Sequence, residues 1–382
     1  MKKIFALISA FLMVFPIIFI ASCESNNTAG TELITSSVME IKSFDGYMLK
    51  GELSLPGGNK KIPKLVIYIN GSGPNVYSSN SFWANELPTN NVAFFSYNTR
   101  GVSAGTDGSA PSINEEEYKT YLPSNSVEDI YYIIKTLKEN KRLKNSKILL
   151  YGYNEGTIIA PLVALKYPDS VDALLLSGYI NDNLKDVIVW QNTGGPSMVW
   201  YKNKFAADDK GRITKEAYEA DPNGVIKTVL ADSTFETIDL NGNGYIEEDD
   251  FAMRWKYIAG YDIADLLDAI ERKDDTWLKD HYGIRLTSDW FTEYFNMRSN
   301  SEVLPLLNLP IYIFHGTLDQ NFPIDGVYAI RDKFAELNKN NLTVNIFDNL
   351  DYGLNMVNDD MTKIDGISPG VQAILDTIIN IK

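Results

Sequence analysis

The sequence predicts an α/β fold: a mostly parallel sheet with helices on both faces and a helical cap inserted late in the chain. Runs that are apolar throughout recur at 64–70, 91–97, 146–153, 171–178, 309–316 and 342–348. That pattern belongs to strands covered on both faces, because a half-exposed strand alternates apolar with polar. Segments with helical spacing fall among them, at 126–140, 155–166, 324–338 and 368–381, and such alternation builds parallel crossovers. Between 181 and 304 the alternation stops, and a helix-leaning block rich in aromatics takes its place.

The elements follow in chain order. Lys2 and Lys3 precede an apolar run at 4–20, then "IASC". A basic start, a short apolar stretch and small residues at its end describe an export signal, and Pro16 argues against a membrane span. The "IASC" stretch resembles a bacterial lipobox, with Ile20 where leucine is usual. The resemblance implies a signal peptide over 1–22, a lipid on Cys23 and a polar tether over 23–37. The chain is then expected to be exported and membrane-anchored in the cell envelope. "VMEIKSFDGYMLKGELSLP" alternates around Asp45-Gly46 and reads as a β-hairpin. Ser126, followed by acids in the first turn, is the expected start of the helix "SVEDIYYIIKTLKEN". The core is assigned to 38–180 and 305–382 and the cap to 181–304. The cap aromatics Trp190, Trp200, Phe205, Trp255, Tyr261, Trp277, Trp290 and Phe291 are read as its own packing. No internal repeat is visible.

Composition narrows the functional classes. A net charge of −15 and a pI near 4.7 argue against nucleic acid as a partner. With Cys23 alone and only His281 and His315, the chain has neither an internal disulfide nor the ligands of a Cys/His zinc site.

"LLYGYNEGTIIA", 149–160, reads as a strand turning sharply into a helix through Gly152 and Gly156. That is the layout of a nucleophile elbow, here with Asn154 at its apex. Together with "INGSGP", "YNTRGVSAG", "FHGTLDQNFP" and "NLDYGLN", in this order, it resembles the α/β-hydrolase family, in particular capped bacterial serine aminopeptidase-like and esterase-like members. The resemblance covers roughly 38–180 and 305–382. It places the triad acid at Asp319, the base position at Tyr352, and the oxyanion-hole donors at the backbone N–H groups of Ser72 and Glu155. A nucleotide-binding reading fails, because "NGSGPNV" lacks the third glycine and Pro74 stands where a helix should open.

The substitutions decide the chemistry. An amide at Asn154 is neither acidic nor nucleophilic at neutral pH, and a phenol ionising near pH 10 is a poor base. Asparagine does tolerate the positive φ that an elbow imposes. His315 is expected to be a satisfied core residue at a strand end. His281, in the cap, is the candidate substitute base for a rival reading, a working esterase or peptidase. Tyr352 is expected to fill the vacated space by donating to Asp319.

The cap carries a second signal. "DLNGNGYIEEDDF" fits the EF-hand calcium loop, with Asp239, Asn241, Asn243, the Tyr245 carbonyl, Glu247 and Asp250 as ligands and Gly244 at the sharp turn. Asp250 replaces the usual glutamate, and no paired second hand is evident, "ADPNG" at 220–224 being too incomplete. The sequence thus anticipates a weak or inactive hydrolase that binds an ester-, peptide- or acyl-like ligand or a protein partner. Its calcium would be structural, not catalytic. A calcium-dependent adhesion lipoprotein is the third reading.

Overall fold

The computed structural model describes residues 34–105 and 109–382. Cys23 and the segments assigned to signal and tether up to residue 33 lie outside the described residues. The centre is an eight-stranded sheet. Its strands are β1 (Thr35–Lys42), β2 (Met48–Leu55), β3 (Lys64–Ile69), β4 (Val92–Tyr97), β5 (Lys147–Tyr153), β6 (Ala173–Ser177), β7 (Ile311–Gly316) and β8 (Leu342–Phe347). They lie in the order β1-β2-β4-β3-β5-β6-β7-β8. β1 and β2 form the hairpin, antiparallel from Thr35↔Leu55 to Lys42↔Met48, and β2 joins β4 antiparallel. The pairings from β4 through β3, β5, β6 and β7 to β8 are parallel. β1 starts at Thr35, inside the segment assigned to the tether.

Side-chain alternation sorts the core into two faces. Ile148 and Leu150 of β5, Leu174 and Leu176 of β6 and Ile311 and Ile313 of β7 point one way. They meet helices over Pro123–Lys138 (α2), Gly156–Lys166 (α3) and Ile324–Glu336 (α4). Leu149, Tyr151, Leu175 and Phe314 point the other way, onto helices over Ser81–Thr89 (α1) and Pro369–Asn380 (α5). Each central strand is therefore buried on both sides, which is why it reads as continuous apolar sequence. α2 begins at Pro123, three residues before the expected Ser126. Proline suits the first turn, where its missing N–H costs nothing, and Leu122 is extended, as a residue before proline should be.

The segment between β6 and β7 is mostly helical, and its aromatics divide between two cores. Trp200, Tyr201, Phe205, Tyr218, Phe235 and Phe251 enclose a separate cluster around Ile213 and Ile246. Tyr261, Trp290, Phe291 and Tyr294 instead join the main core above α2 and α3. Within the separate cluster, Ile213–Thr214 and Tyr245–Ile246 form a short antiparallel ribbon in which Ile213 faces Ile246. Gly211 and Gly244, each two residues earlier, both have positive φ (76° and 86°). The calcium-like loop therefore does have a partner loop, at 208–214 and not at 220–224. Matched to Asp239 and Asn243, the loop has Ala206 and Lys210 where acidic or amide ligands would mark it, so the sequence hides it.

Candidate active site

β5 ends in a sharp turn, and α3 starts at Gly156. The turn is compressed enough to require both glycines. A Cβ on Gly152 would come within 2.2 Å of the Gly156 carbonyl oxygen, and one on Gly156 within 2.3 Å of that of Ile69. Asn154 at the apex has φ of 49°, left-handed backbone that asparagine accepts more readily than most residues. Its N–H donates to the Ser177 carbonyl (3.0 Å), and its own carbonyl accepts from Thr157 N–H (2.8 Å) and Thr157 Oγ1 (2.6 Å). Its side chain is buried between Gly71 and Gly178, and Oδ1 has no hydrogen-bond partner. The apex therefore stores both backbone strain and an unmet acceptor, costs that a purely structural turn would shed.

Among the described residues, neither Ser72 N–H nor Glu155 N–H donates to a backbone carbonyl. The Glu155 side chain has a role that the sequence did not reveal. It is buried, and its carboxylate accepts from Tyr121 OH and from Tyr294 OH, the latter at 2.5 Å. Tyr294 comes from the helix Ser288–Phe295 between β6 and β7. Burial pushes the Glu155 carboxyl up, and the two phenols pull it back down. A small cavity lies beside the elbow, lined in part by Gly71, Tyr97, Tyr121, Asp129 and Glu155. Asn154, Asp319 and Tyr352 do not line it. Arg100 also lines it and is buried, donating through Nε and Nη2 to Asp129 (2.7 and 2.6 Å) and through Nη1 to Asp45 (2.6 Å). Asp129 also accepts from Ser43 Oγ. This fully paired network ties the β1–β2 hairpin to α2 and the loop after β4.

Asp319 follows β7 and is buried. Its Oδ1 accepts from the N–H groups of Asn321 (2.8 Å) and Phe322 (2.9 Å). Oδ2 has no hydrogen-bond partner and lies 3.5 Å from His315 Nε2. Two expectations are corrected here. Tyr352 does not donate to Asp319; it is half-buried and packs against Tyr153 with ring centroids 6.4 Å apart. Burial also raises its phenol pKa, so even less of the phenolate that could act as a base is present at neutral pH. His315 is the buried strand-end residue expected, but neither ring nitrogen makes a hydrogen bond of good geometry, although the Phe322 backbone approaches the ring. Both differences share a cause, since side-chain direction at a strand end depends on register, which local sequence does not give.

His281 does not reach the elbow. It is exposed, its Nδ1 lies 2.9 Å from the Trp277 carbonyl one turn back, and its ring stacks on Trp277 at 4.5 Å.

The comparisons with known proteins agree with this architecture. A model of the alpha/beta hydrolase fold family matches residues 64–351, most of the chain. The chain belongs to the α/β-hydrolase family. Solved structures similar to this chain include Est1E from Butyrivibrio proteoclasticus bound to ferulic acid. It is 13% identical, with 89% of this chain and 96% of that chain covered and a TM-score of 0.51. A carboxyl esterase from Bacillus coagulans is 12% identical over 82% of this chain and 90% of its own (TM-score 0.48). Porphyromonas gingivalis dipeptidyl peptidase 4 is 11% identical over 91% of this chain but only 35% of its own (TM-score 0.49). No curated protein matches the sequence.

In this α/β-hydrolase the calcium-like loop sits between a short helix at Phe235–Ile238 and a longer one at Glu248–Ala259. Asp239 accepts from the N–H groups of Asn243 (3.2 Å) and Gly244 (2.9 Å). Asn241 Oδ1 accepts from Asn243 N–H (3.0 Å), and Asn243 Oδ1 from Tyr245 N–H (2.9 Å). Glu247 Oε1 accepts from the amides of Asn241 (3.4 Å) and Asn243. Asp250 is fully buried and takes N–H bonds from Leu240 (2.7 Å), Asn241 (3.1 Å) and Glu247 (2.9 Å), which closes the two ends of the loop on each other. The donor set is oxygen-only and turned inward, which suits a hard cation, with Asp250 already serving the backbone. Among the described residues, no three acidic, His or Cys side chains converge as a metal group. In the partner loop, Asp208 is bonded instead by Arg212 Nη2 (2.8 Å), and the guanidinium lies 3.5 Å over the Tyr245 ring.

Proposed function

We propose that this α/β-hydrolase is a membrane-anchored binding protein whose hydrolytic centre is degenerate. The observation that carries the reading is the elbow itself: a strained, buried asparagine held where the fold presents a nucleophile. Acyl transfer needs a hydroxyl or thiol beside a base. Asn154 supplies neither, Tyr352 is a phenol with a raised pKa, and His281 is engaged with its own helix. The unengaged N–H groups of Ser72 and Glu155 favour binding of an ester-, peptide- or acyl-like carbonyl, or of a carbonyl on a protein partner. The anchor is a lipid on Cys23, and calcium held by Asp239, Asn241, Asn243, the Tyr245 carbonyl, Glu247 and Asp250 braces the segment above the core. The ion would act through charge and geometry alone, with no part in chemistry.

The test is exposure of the chain to a fluorophosphonate probe and to acyl-ester and aminoacyl substrates, with calcium present. No labelling and no turnover above background are expected, together with a melting shift on adding a boronic acid that mimics a tetrahedral centre. A covalent adduct mapped to residues 152–156, or turnover typical of an esterase, defeats the proposal.

A further inference from the structure

Three buried atoms around Asp319 make no hydrogen bond of good geometry: Asp319 Oδ2, His315 Nδ1 and His315 Nε2, with the Phe322 backbone approaching the ring. Two of them, Oδ2 and Nε2, face each other at 3.5 Å. Asp319 is 2% exposed and His315 0%, so bulk water does not reach them. The ionisable side chains approaching Asp319 are Asp351 and Tyr352, both from the loop after β8, and neither is a cation. Burying a lone carboxylate beside a second one is costly, and so is leaving a bare imidazole nitrogen facing a bare carboxylate oxygen. One proton on the line between them relieves both costs. Burial acts in the same sense, opposing charge on Asp319 and on His315.

We propose that His315 is the positioning partner of Asp319 and that the two hold one proton between Oδ2 and Nε2, the ring keeping its other proton on Nδ1, so that the pair is neutral overall at pH 7. The acid that the family fold would aim at a base is thereby turned inward. His315 comes from β7, four residues before Asp319, and in the sheet it follows the pair Phe314↔Ser177, which places it alongside Gly178. The asparagine side chain of the elbow lies over Gly178, so the paired acid and the vacant nucleophile position are adjacent. The consequence for the site, which rests on the degenerate-centre reading, is that restoring serine and histidine at 154 and 352 does not restore a triad while His315 keeps Asp319.

The chain has only two histidines, which makes the pairing directly measurable. Proton and ¹⁵N spectra of the full chain carrying His281→Gln contain a single imidazole. A downfield, slowly exchanging ring proton is expected at pH 7, unchanged by Tyr352→Phe and lost in Asp319→Asn. Its absence from the His281→Gln chain, or its loss in Tyr352→Phe, overturns the pairing without recourse to any Asp319 variant. A second measurement reads the consequence. In chains shown to be folded by circular dichroism, adding His315→Leu to Asn154→Ser/Tyr352→His is expected to raise ester kcat/KM at least tenfold. No rise counts against the positioning role. Neither result touches the proposed loss of turnover in the native chain, which the fluorophosphonate experiment judges separately.

Discussion

Asn154 sets out a trade at the scale of one residue. Its φ of 49° and its unpartnered Oδ1 both oppose folding. Glycine relieves both, so Asn154→Gly is expected to stabilise the chain by about 1 kcal/mol in urea unfolding, whereas Asn154→Ala keeps the strain. A loss on Asn154→Gly would mean that the amide has a partner. Glu155 shows the opposite balance. Tyr121→Phe and Tyr294→Phe are each expected to cost about 2 kcal/mol, because each strips a donor from a buried carboxylate. A double-mutant cycle between them should be non-additive, since both serve one acid. The His315–Asp319 pair gives a pH signature. Burial lowers the His315 pKa from 6.5 to about 4. Taken alone, its stabilisation is complete above pH 6.5 and is lost as pH falls toward 4, by up to about 3 kcal/mol. Asp319 is raised from 3.8, so its contribution runs the other way, present at low pH and lost as pH rises. The two slopes oppose each other in the native chain. Asp319→Asn should therefore uncover the histidine slope, its stability falling relative to the native chain between pH 6.5 and 4.

At the scale of elements, the sequence was most legible where periodicity and burial coincide. The apolar runs predicted for β3 to β8 match the strands to within two residues; for β3 to β7 both sheet faces are covered and each run has one physical reading, whereas the edge strand β8 has no fully buried residue. The elbow was legible for a different reason: its two glycines are demanded by backbone contacts shorter than a Cβ allows. What stayed hidden was contact across elements. Glu155 was readable as an N–H donor but not as the acid that meets Tyr121 and Tyr294, which lie far from it in sequence. α1 was missed because Pro88 within it and weak periodicity conceal a helix held chiefly by Trp83 and Leu87. The loop at 208–214 was missed because Ala206 and Lys210 stand in place of the expected ligands. The 239–250 loop yields a prediction at this scale. Calcium at a hundredfold excess over its dissociation constant should stabilise the chain by about 2.7 kcal/mol, and Asp239→Ala should abolish the effect; both are read by calorimetry. An unchanged melting temperature in calcium would remove the ion from the account.

For the whole molecule, the seam between the sheet and the segment above it is polar as well as apolar. Tyr294 reaches Glu155, Asn300 Nδ2 donates to the carbonyls of Thr157 (2.8 Å) and Ile180 (2.7 Å), and Tyr118 OH donates to the Arg285 carbonyl (2.5 Å). Ile284 presses on the loop bearing Ser72, 2.9 Å from where a Cβ on Gly73 would stand. Residues 260–304 are therefore part of one cooperative body with the sheet, and no separate melting transition is expected for them. Residues 195–247 differ, because most of their buried aromatics face one another and not the sheet.

That stretch also begins and finishes at one spot, since a Cβ on Gly194 would stand 2.1 Å from the carbonyl oxygen of Glu248. A length of chain whose two stumps touch behaves as a cassette. Splicing it out through a short glycine bridge should leave the remaining protein folded, while Asp250, the last residue of the calcium-like loop, stays behind with the host chain.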